Sequence, residues 1–273
     1  MQEIIDFRVR PRFPETLKAW TPVPTAAMAP YVDLYKMESR LSFLTVDEQL
    51  AEMDRHGIAV AVLSGGNRHE NRFIAELCAR HPDRFVGLGG VQPQEGATRA
   101  YRDAREALEE LGLAGINLVP CVLGIPADDP RNYALYALCD DLGKLAIIHS
   151  SLHYVPHTPL ELGNPRYFDK IAVDFPTMKI VMSHAGNGFG NVGLAIAQRH
   201  PNVYLEFSAL VPRYLPEPYV QAMNTYLRDK CLFGTDYPLL DFSARDLYPP
   251  ILRPETIPAF FADNARRLLG LDA

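Results

Sequence analysis

Ile4-Ile5-Asp6-Phe7-Arg8-Val9-Arg10 is the first of eight short apolar runs, and its place at the head of a regular alternation decides the fold. The other seven cover 59–65, 85–91, 114–119, 145–150, 179–184, 203–208 and 231–236. Their apolar residues do not strictly alternate with polar ones, which suits parallel strands covered on both faces. Helical periodicity follows each run and predicts helices over 46–56, 68–80, 96–111, 131–142, 165–175, 190–199, 218–228 and 258–269. In the third of these Tyr101, Ala104, Ala107, Leu108 and Leu111 trace one apolar stripe between charged faces. Gly57 and Gly112 follow helical stretches, where a left-handed residue commonly ends the helix. An open doubly wound sheet would show the same alternation. The count of eight favours closure, and no Gly-x-Gly-x-x-Gly follows the first run. The expectation is an α/β fold, one (β/α)8 TIM barrel domain over residues 1–273, close to the usual barrel length of about 250 residues.

Composition narrows the partners. With 48% hydrophobic and 22% charged residues the chain can bury a large core. A net charge of −6 offers no general attraction for nucleic acid or anionic membranes, so neither is expected as a partner. Cys78, Cys121, Cys139 and Cys231 have no metal-type spacing and read as buried thiols of a reducing compartment. Apolar strand follows Met1-Gln2-Glu3 directly, and no stretch approaches the roughly 18 apolar residues of a membrane span. A cytoplasmic location is therefore expected, with a small anionic molecule as substrate and a homodimer as the assembly left open.

Barrels place their chemistry at the carboxyl ends of the strands. Four ends carry polar groups there: Asp6-Phe7-Arg8-Val9-Arg10, Ile148-His149-Ser150, Met182-Ser183-His184-Ala185-Gly186 and Phe233-Gly234-Thr235-Asp236-Tyr237-Pro238. In these motifs, and over the whole chain from Ile4 to Leu269, the sequence resembles the amidohydrolase superfamily, in the amidohydrolase-related branch of small decarboxylases, hydratases and lactonases. The resemblance implies that His149, His184 and Asp236 take the roles of the strand-five and strand-six histidines and the strand-eight aspartate. It also marks a departure. The family's first strand ends in His-x-His, and here those positions are Arg8 and Arg10. Arginine has no lone pair to offer a metal. Asn117 stands where strand four can supply a bridging Lys or Glu.

Two guanidinium groups beside His149, His184 and Asp236 would repel a divalent cation and take over part of its electrostatic work. No metal and no cofactor is therefore expected. The leading expectation is a metal-independent hydrolase of a small carboxylated lactone or ester. Arg8 and Arg10 would hold the anion, Asp236 would act as general base, and His184 and His149 would position or donate protons. The alternatives are a lyase (decarboxylase or dehydratase) or an isomerase or cyclase on a small carboxylate, and an inactive carboxylate-binding barrel. Asn117, His153 and Ser208 join the arginines as expected substrate contacts, and Glu206 and His157 are further candidates. Each has a plainer reading. The plainer reading pairs the arginines structurally with Asp6, Asp236 or Glu206, makes a buried histidine a satisfied core residue and has Asp236 cap a turn. Asn187 and its neighbouring glycines shape the turn after strand six, or meet an anion through backbone N–H groups. The Pro-rich stretch 11–30 reads as a loop over the barrel mouth, with Trp20, Tyr31 and Tyr35 as an aromatic lid.

Overall fold

The computed structural model describes residues 3–10, 13–17, 43–155 and 157–271. The expected lid aromatics Trp20, Tyr31 and Tyr35 lie outside these residues. All eight expected strands form. They are β1 (Ile4–Val9), β2 (Ile58–Ser64), β3 (Phe85–Gly90), β4 (Gly115–Leu118), β5 (Leu145–His149), β6 (Lys179–Ser183), β7 (Val203–Glu206) and β8 (Cys231–Leu232). They pair in parallel, in chain order, as one sheet. Its last and first strands meet through single backbone bonds rather than a long ladder: Phe7 N–H to Phe233 O at 2.9 Å, Asp236 N–H to Arg8 O at 2.9 Å and Arg10 N–H to Tyr237 O at 2.8 Å. The barrel is thus nearly closed.

The connecting helices are α1 (Val46–Arg55), α2 (Arg68–Arg80), α3 (Ala97–Arg105), α4 (Pro130–Asp141), α5 (Tyr167–Asp174), α6 (Val192–Arg199), α7 (Glu217–Met223) and α8 (Asn264–Leu269). Thr45 and Glu48 form a reciprocal capping box at the start of α1, satisfying two backbone N–H groups that the helix cannot. Helix α3 continues into a π turn at Glu106–Glu110, so the expected single stretch 96–111 is one apolar stripe on two helical geometries. Gly57 and Gly112 both sit at φ 67°, as their positions after helices required.

Period-two alternation sorts the strand side chains into two apolar layers. Leu145 and Ile147 on β5 join Val60, Val62, Leu88 and Val181 in a cluster made almost wholly of strand residues. Ala146 and Ile148 join a second cluster with Met53, Ile74, Leu77 and Leu135 of the helices. The same alternation puts His149 in line with Leu145 and Ile147, and it places Asn117, Ser183 and Glu206 on the side opposite the helix-facing Ile116, Met182 and Leu205. The polar interior therefore gathers where the strands end.

Three of those ends bend sharply. His184 and Ala185 after β6, Ala209 after β7 and Asp236 after β8 adopt φ of 53–60°. This left-handed backbone costs a non-glycine residue about 1–2 kcal/mol. It persists only because the surroundings fix it, and it ends β6 and β8 earlier than the apolar runs suggest. The run 231–236 keeps only two residues in the ladder. Among the described residues no helix is long and apolar enough to cross a membrane. All four cysteines are free; Cys78 is partly exposed rather than buried as expected.

Candidate active site

Arg8 is a deeply buried cation, with 1% of its side chain exposed. Its Nε donates to Asp236 Oδ1 at 3.0 Å, and its Nη1 donates to Asn117 Oδ1 at 3.3 Å. Asn117 in turn donates to Gly65 O at 2.7 Å. Arg10, two residues on, brings its Nε to 3.5 Å from the same Asp236 oxygen. Both arginines thus reach one face of β1 and share one carboxylate, so Asp236 is the ion-pair partner among the three acids proposed from sequence. The other two are engaged elsewhere. Asp6 accepts from Thr235 N–H at 3.0 Å, Thr235 Oγ1 at 2.6 Å and Arg8 N–H at 3.1 Å, which ties β1 to the end of β8. Glu206 accepts from Ser183 and Ser208.

The ionisation states follow from burial and charge. Burial pushes Asp236 up, yet Arg8, Arg10 and His184 together outweigh it and hold the carboxyl below its usual range. Burial and then Arg8 push the Arg10 guanidinium down, against Asp236 and Glu70. Burial, followed by the charges of His184 and Arg8, holds His149 well below the usual imidazole value. His184 falls to about 4, again chiefly by burial, with Asp236 opposing and Arg8 reinforcing the drop. Both imidazoles are therefore neutral at neutral pH. Their rings meet edge to face with centroids 4.9 Å apart.

His149, His184, Arg10 and Asp236 line one cavity of about 230 Å3 with His153, Ser151, Tyr154 and Asn187. Much of the remaining wall is apolar, from Val119, Val122, Leu152, Val155, Leu210 and Leu239. The cavity is slightly smaller than the roughly 300 Å3 at which small-molecule sites begin. Of the eight residues singled out from sequence, five stand on this wall: Asp236, His184, His149, Arg10 and His153. The other three stand behind it. Arg8 and Asn117 are expected to touch substrate, but they are not on the wall; they are buried behind it and hold Asp236 and Gly65. Ser208 likewise lies behind His184, with its Oγ 3.0 Å from Nδ1. His153 is partly engaged, its Nε2 3.1 Å from Pro159 O. His157 is exposed and absent from the wall.

Glu70 and Cys121 are not among the site residues expected from sequence. Glu70 lies on the first turn of α2, buried beside Arg10, and accepts from Gly66 N–H at 2.8 Å and Asn67 Nδ2 at 2.7 Å. A helix-start acid reads from sequence as a cap, so its second role emerges only once β1 is set beside β2. Cys121 follows β4 and joins the cavity wall, a position that the strand-end rule would have flagged. Burial pushes its thiol up to about 11, so no thiolate is available at neutral pH.

The amidohydrolase resemblance implies a divalent metal here, and the residues present do not fit one. One Asp236 oxygen is held by two guanidinium groups, Arg8 and Arg10 offer no lone pair, and the Asp6 carboxyl is taken up by Thr235. Among the described residues no three His, Cys, Asp or Glu side chains are grouped to hold an ion.

The family model described as Amidohydrolase matches residues 5–271. The chain is 26% identical over 234 residues to 2-amino-3-carboxymuconate-6-semialdehyde decarboxylase of Dictyostelium discoideum; the match covers 74% of this chain and 64% of that relative. Among solved structures, an uncharacterised TIM-barrel protein of Bordetella bronchiseptica is 27% identical, with a TM-score of 0.84 and 98% of both chains covered. The 2,6-dihydroxybenzoate decarboxylase of Rhizobium is 20% identical, with a TM-score of 0.71 and all of both chains covered, and it shares the fold.

Proposed function

The chain belongs to the amidohydrolase family, and within that family we propose that it is a lyase, a decarboxylase of a small unsaturated or aromatic carboxylate that uses fixed arginine charge in place of a divalent ion. The observation that carries this reading is the closure of Arg8 and Arg10 on Asp236 at the edge of a largely apolar cavity. That arrangement weakens Asp236, the general base expected from sequence. Asp236 is held below the usual carboxylate range, and His149 and His184 are poor proton acceptors at neutral pH. Hydrolysis needs water activated by such a base or by a metal.

Decarboxylation needs neither. The C–C bond to the carboxylate breaks, its electron pair passes onto the conjugated skeleton, carbon dioxide leaves, and the carbon then takes one proton. Arg10, with 12% of its side chain exposed, is the cation on the cavity wall, suited to an oxygen that gains charge in this step. His184 is the candidate proton donor. The apolar wall lowers the local dielectric and strengthens both interactions. The decarboxylase similarity of the Dictyostelium relative supports this chemistry over the ester or lactone hydrolysis expected from sequence.

The test is product analysis over a panel of hydroxybenzoates and muconate-type acids in heavy-oxygen water. Release of carbon dioxide without solvent oxygen in the organic product is expected. Incorporation of solvent oxygen without carbon dioxide would return the reading to a hydrolase.

A further inference from the structure

Behind the cavity wall lies a buried acid that the steps above leave unused. Glu206 is fully buried. Its Oε2 accepts from Ser183 Oγ at 3.0 Å and from Ser208 Oγ at 2.8 Å, and its Oε1 accepts from Ser208 N–H at 2.5 Å. Gly234 on the neighbouring strand end makes the room, since a Cβ there would stand 2.2 Å from Oε1. The end of β8 thus leaves room for this carboxyl. Ser208 Oγ also stands 3.0 Å from His184 Nδ1, and the Ser208 carbonyl oxygen stands 2.9 Å from the same nitrogen. With Nδ1 turned to Ser208, Nε2 is the other nitrogen of a ring that lines the cavity.

We infer that Glu206, Ser208 and His184 form a proton relay that connects a buried reserve on β7 to the cavity, with Glu206 as the reserve. Every link joins groups that both give and accept protons at hydrogen-bond distance. With Glu206 protonated, its O–H donates to Ser208 Oγ, the Ser208 O–H donates to Nδ1, and Nε2 carries the proton that faces the substrate. When the carbon left by carbon dioxide takes that proton, the Ser208 proton moves to Nδ1 and the Glu206 proton moves to Ser208. One proton leaves Glu206 and one arrives at carbon, and the imidazole is neutral before and after. The end state is satisfied too, with Nδ1–H donating to the Ser208 carbonyl and the Ser208 hydroxyl donating to the Glu206 carboxylate. Water entering after product release returns a proton through Nε2.

The charged and titratable groups around Glu206 set the balance between the two states. Arg8 and Asp6 act on it from β1, Asp236 from beyond β8 and Tyr248 from the segment after β8, while His184 is reached through Ser208. Burial pushes Glu206 up, Arg8 and the Ser208 hydroxyl oppose this, and Asp236 adds to the rise, leaving it at about 7. Both forms are then populated near neutrality.

The relay rests on the proton-transfer reading of the cavity, and its test needs no turnover. Nitrogen-15 NMR of the histidine-labelled full chain reads the His184 tautomer between about pH 5.5 and 8.5. In the native protein His184 is expected to pass from the Nε2–H form at low pH to the Nδ1–H form at high pH, with a midpoint near the Glu206 value of about 7 and no imidazolium. Glu206→Gln can keep all three hydrogen bonds but holds no mobile proton, and Ser208→Ala cuts the link while leaving the carbonyl contact. Each is expected to fix one tautomer across the range, with an unchanged His149 spectrum showing an intact site. A single tautomer throughout in the native protein overturns the relay, as does a switch that survives in Glu206→Gln. On a substrate that releases carbon dioxide, Glu206→Gln lowers kcat about 100-fold with KM unchanged, the lower end expected for loss of a proton donor. Lack of any decarboxylation overturns the reaction and leaves the tautomer result standing.

Discussion

Replacing Asp236 by Asn removes one negative charge and almost no volume, so its effect reads the electrostatics of the arginine pair. In the native protein Arg8, at 1% side-chain exposure, donates to Asp236 Oδ1 at 3.0 Å, and Arg10 stands 3.5 Å from the same oxygen. The variant keeps an acceptor there but leaves Arg8 with no ionised partner in hydrogen-bond contact. Breaking a buried ion pair from one side costs about 3–5 kcal/mol. The surviving amide acceptor puts Asp236→Asn at the lower end, about 3 kcal/mol. For a protein of this size that corresponds to a fall in Tm of roughly 6–12 °C. Arg8→Met combined with Asp236→Asn removes both buried charges and should be more stable than Asp236→Asn alone. The sign with pH is fixed as well. A carboxyl whose folded value is depressed contributes stability above its unfolded value of about 3.9 and loses it as pH falls through the folded value. The difference between native and Asp236→Asn should therefore be full at pH 7 and shrink below about pH 4. Urea unfolding followed by circular dichroism measures both effects. An Asp236→Asn protein within about 0.5 kcal/mol of native at pH 7 would refute the reasoning, because the charge on Arg8 would then be answered elsewhere.

Three further outcomes follow from the same geometry. Glu206 rises from 4.5 to about 7 on folding, so the native protein loses roughly 3 kcal/mol relative to Glu206→Gln as pH climbs through that window, and the loss levels off above it. Parallel unfolding curves at pH 5 and pH 8 check this, and a difference independent of pH contradicts it. His149 and His184 should both remain neutral at pH 6 by NMR, since burial holds both below the usual imidazole value. Gly234→Ala drives a Cβ to 2.2 Å from Glu206 Oε1 and should cost about 2 kcal/mol or more, whereas Ala at Gly112 meets nothing within 4 Å and pays only the roughly 1 kcal/mol of its left-handed backbone. Chemical denaturation of the two variants ranks them.

Much of the barrel is legible in the chain because its signals are local. Apolar runs bounded by turn residues give the strands, and glycines such as Gly57 and Gly112 mark where helices stop. The ends of β6 and β8 are not legible, because the left-handed turns at His184 and Asp236 are imposed by contacts across the barrel rather than by residue type. The site divides in the same way. His149, His184 and Asp236 are visible as polar groups at strand ends, and the structure brings them to one cavity. Depth is what sequence does not encode. Arg8 and Arg10 look equivalent at positions i and i+2, yet Arg8 is sealed behind the wall by Asp236 and Asn117 while Arg10 faces the cavity. Glu206 and Ser208 look like pocket residues and instead stand behind His184. Glu70 becomes a neighbour of Arg10 only through the packing of β1 beside β2.

Arginine charge, centred on Arg8 and Arg10, is proposed to do here the work of a divalent ion. This is tested most directly by measuring carbon dioxide release from a small unsaturated carboxylate with protein dialysed exhaustively against chelator, its metal content determined on the same sample. Full activity is expected at metal contents far below one ion per chain, unchanged by added zinc or manganese. Activity that vanishes on chelation and returns with a stoichiometric divalent ion would contradict it.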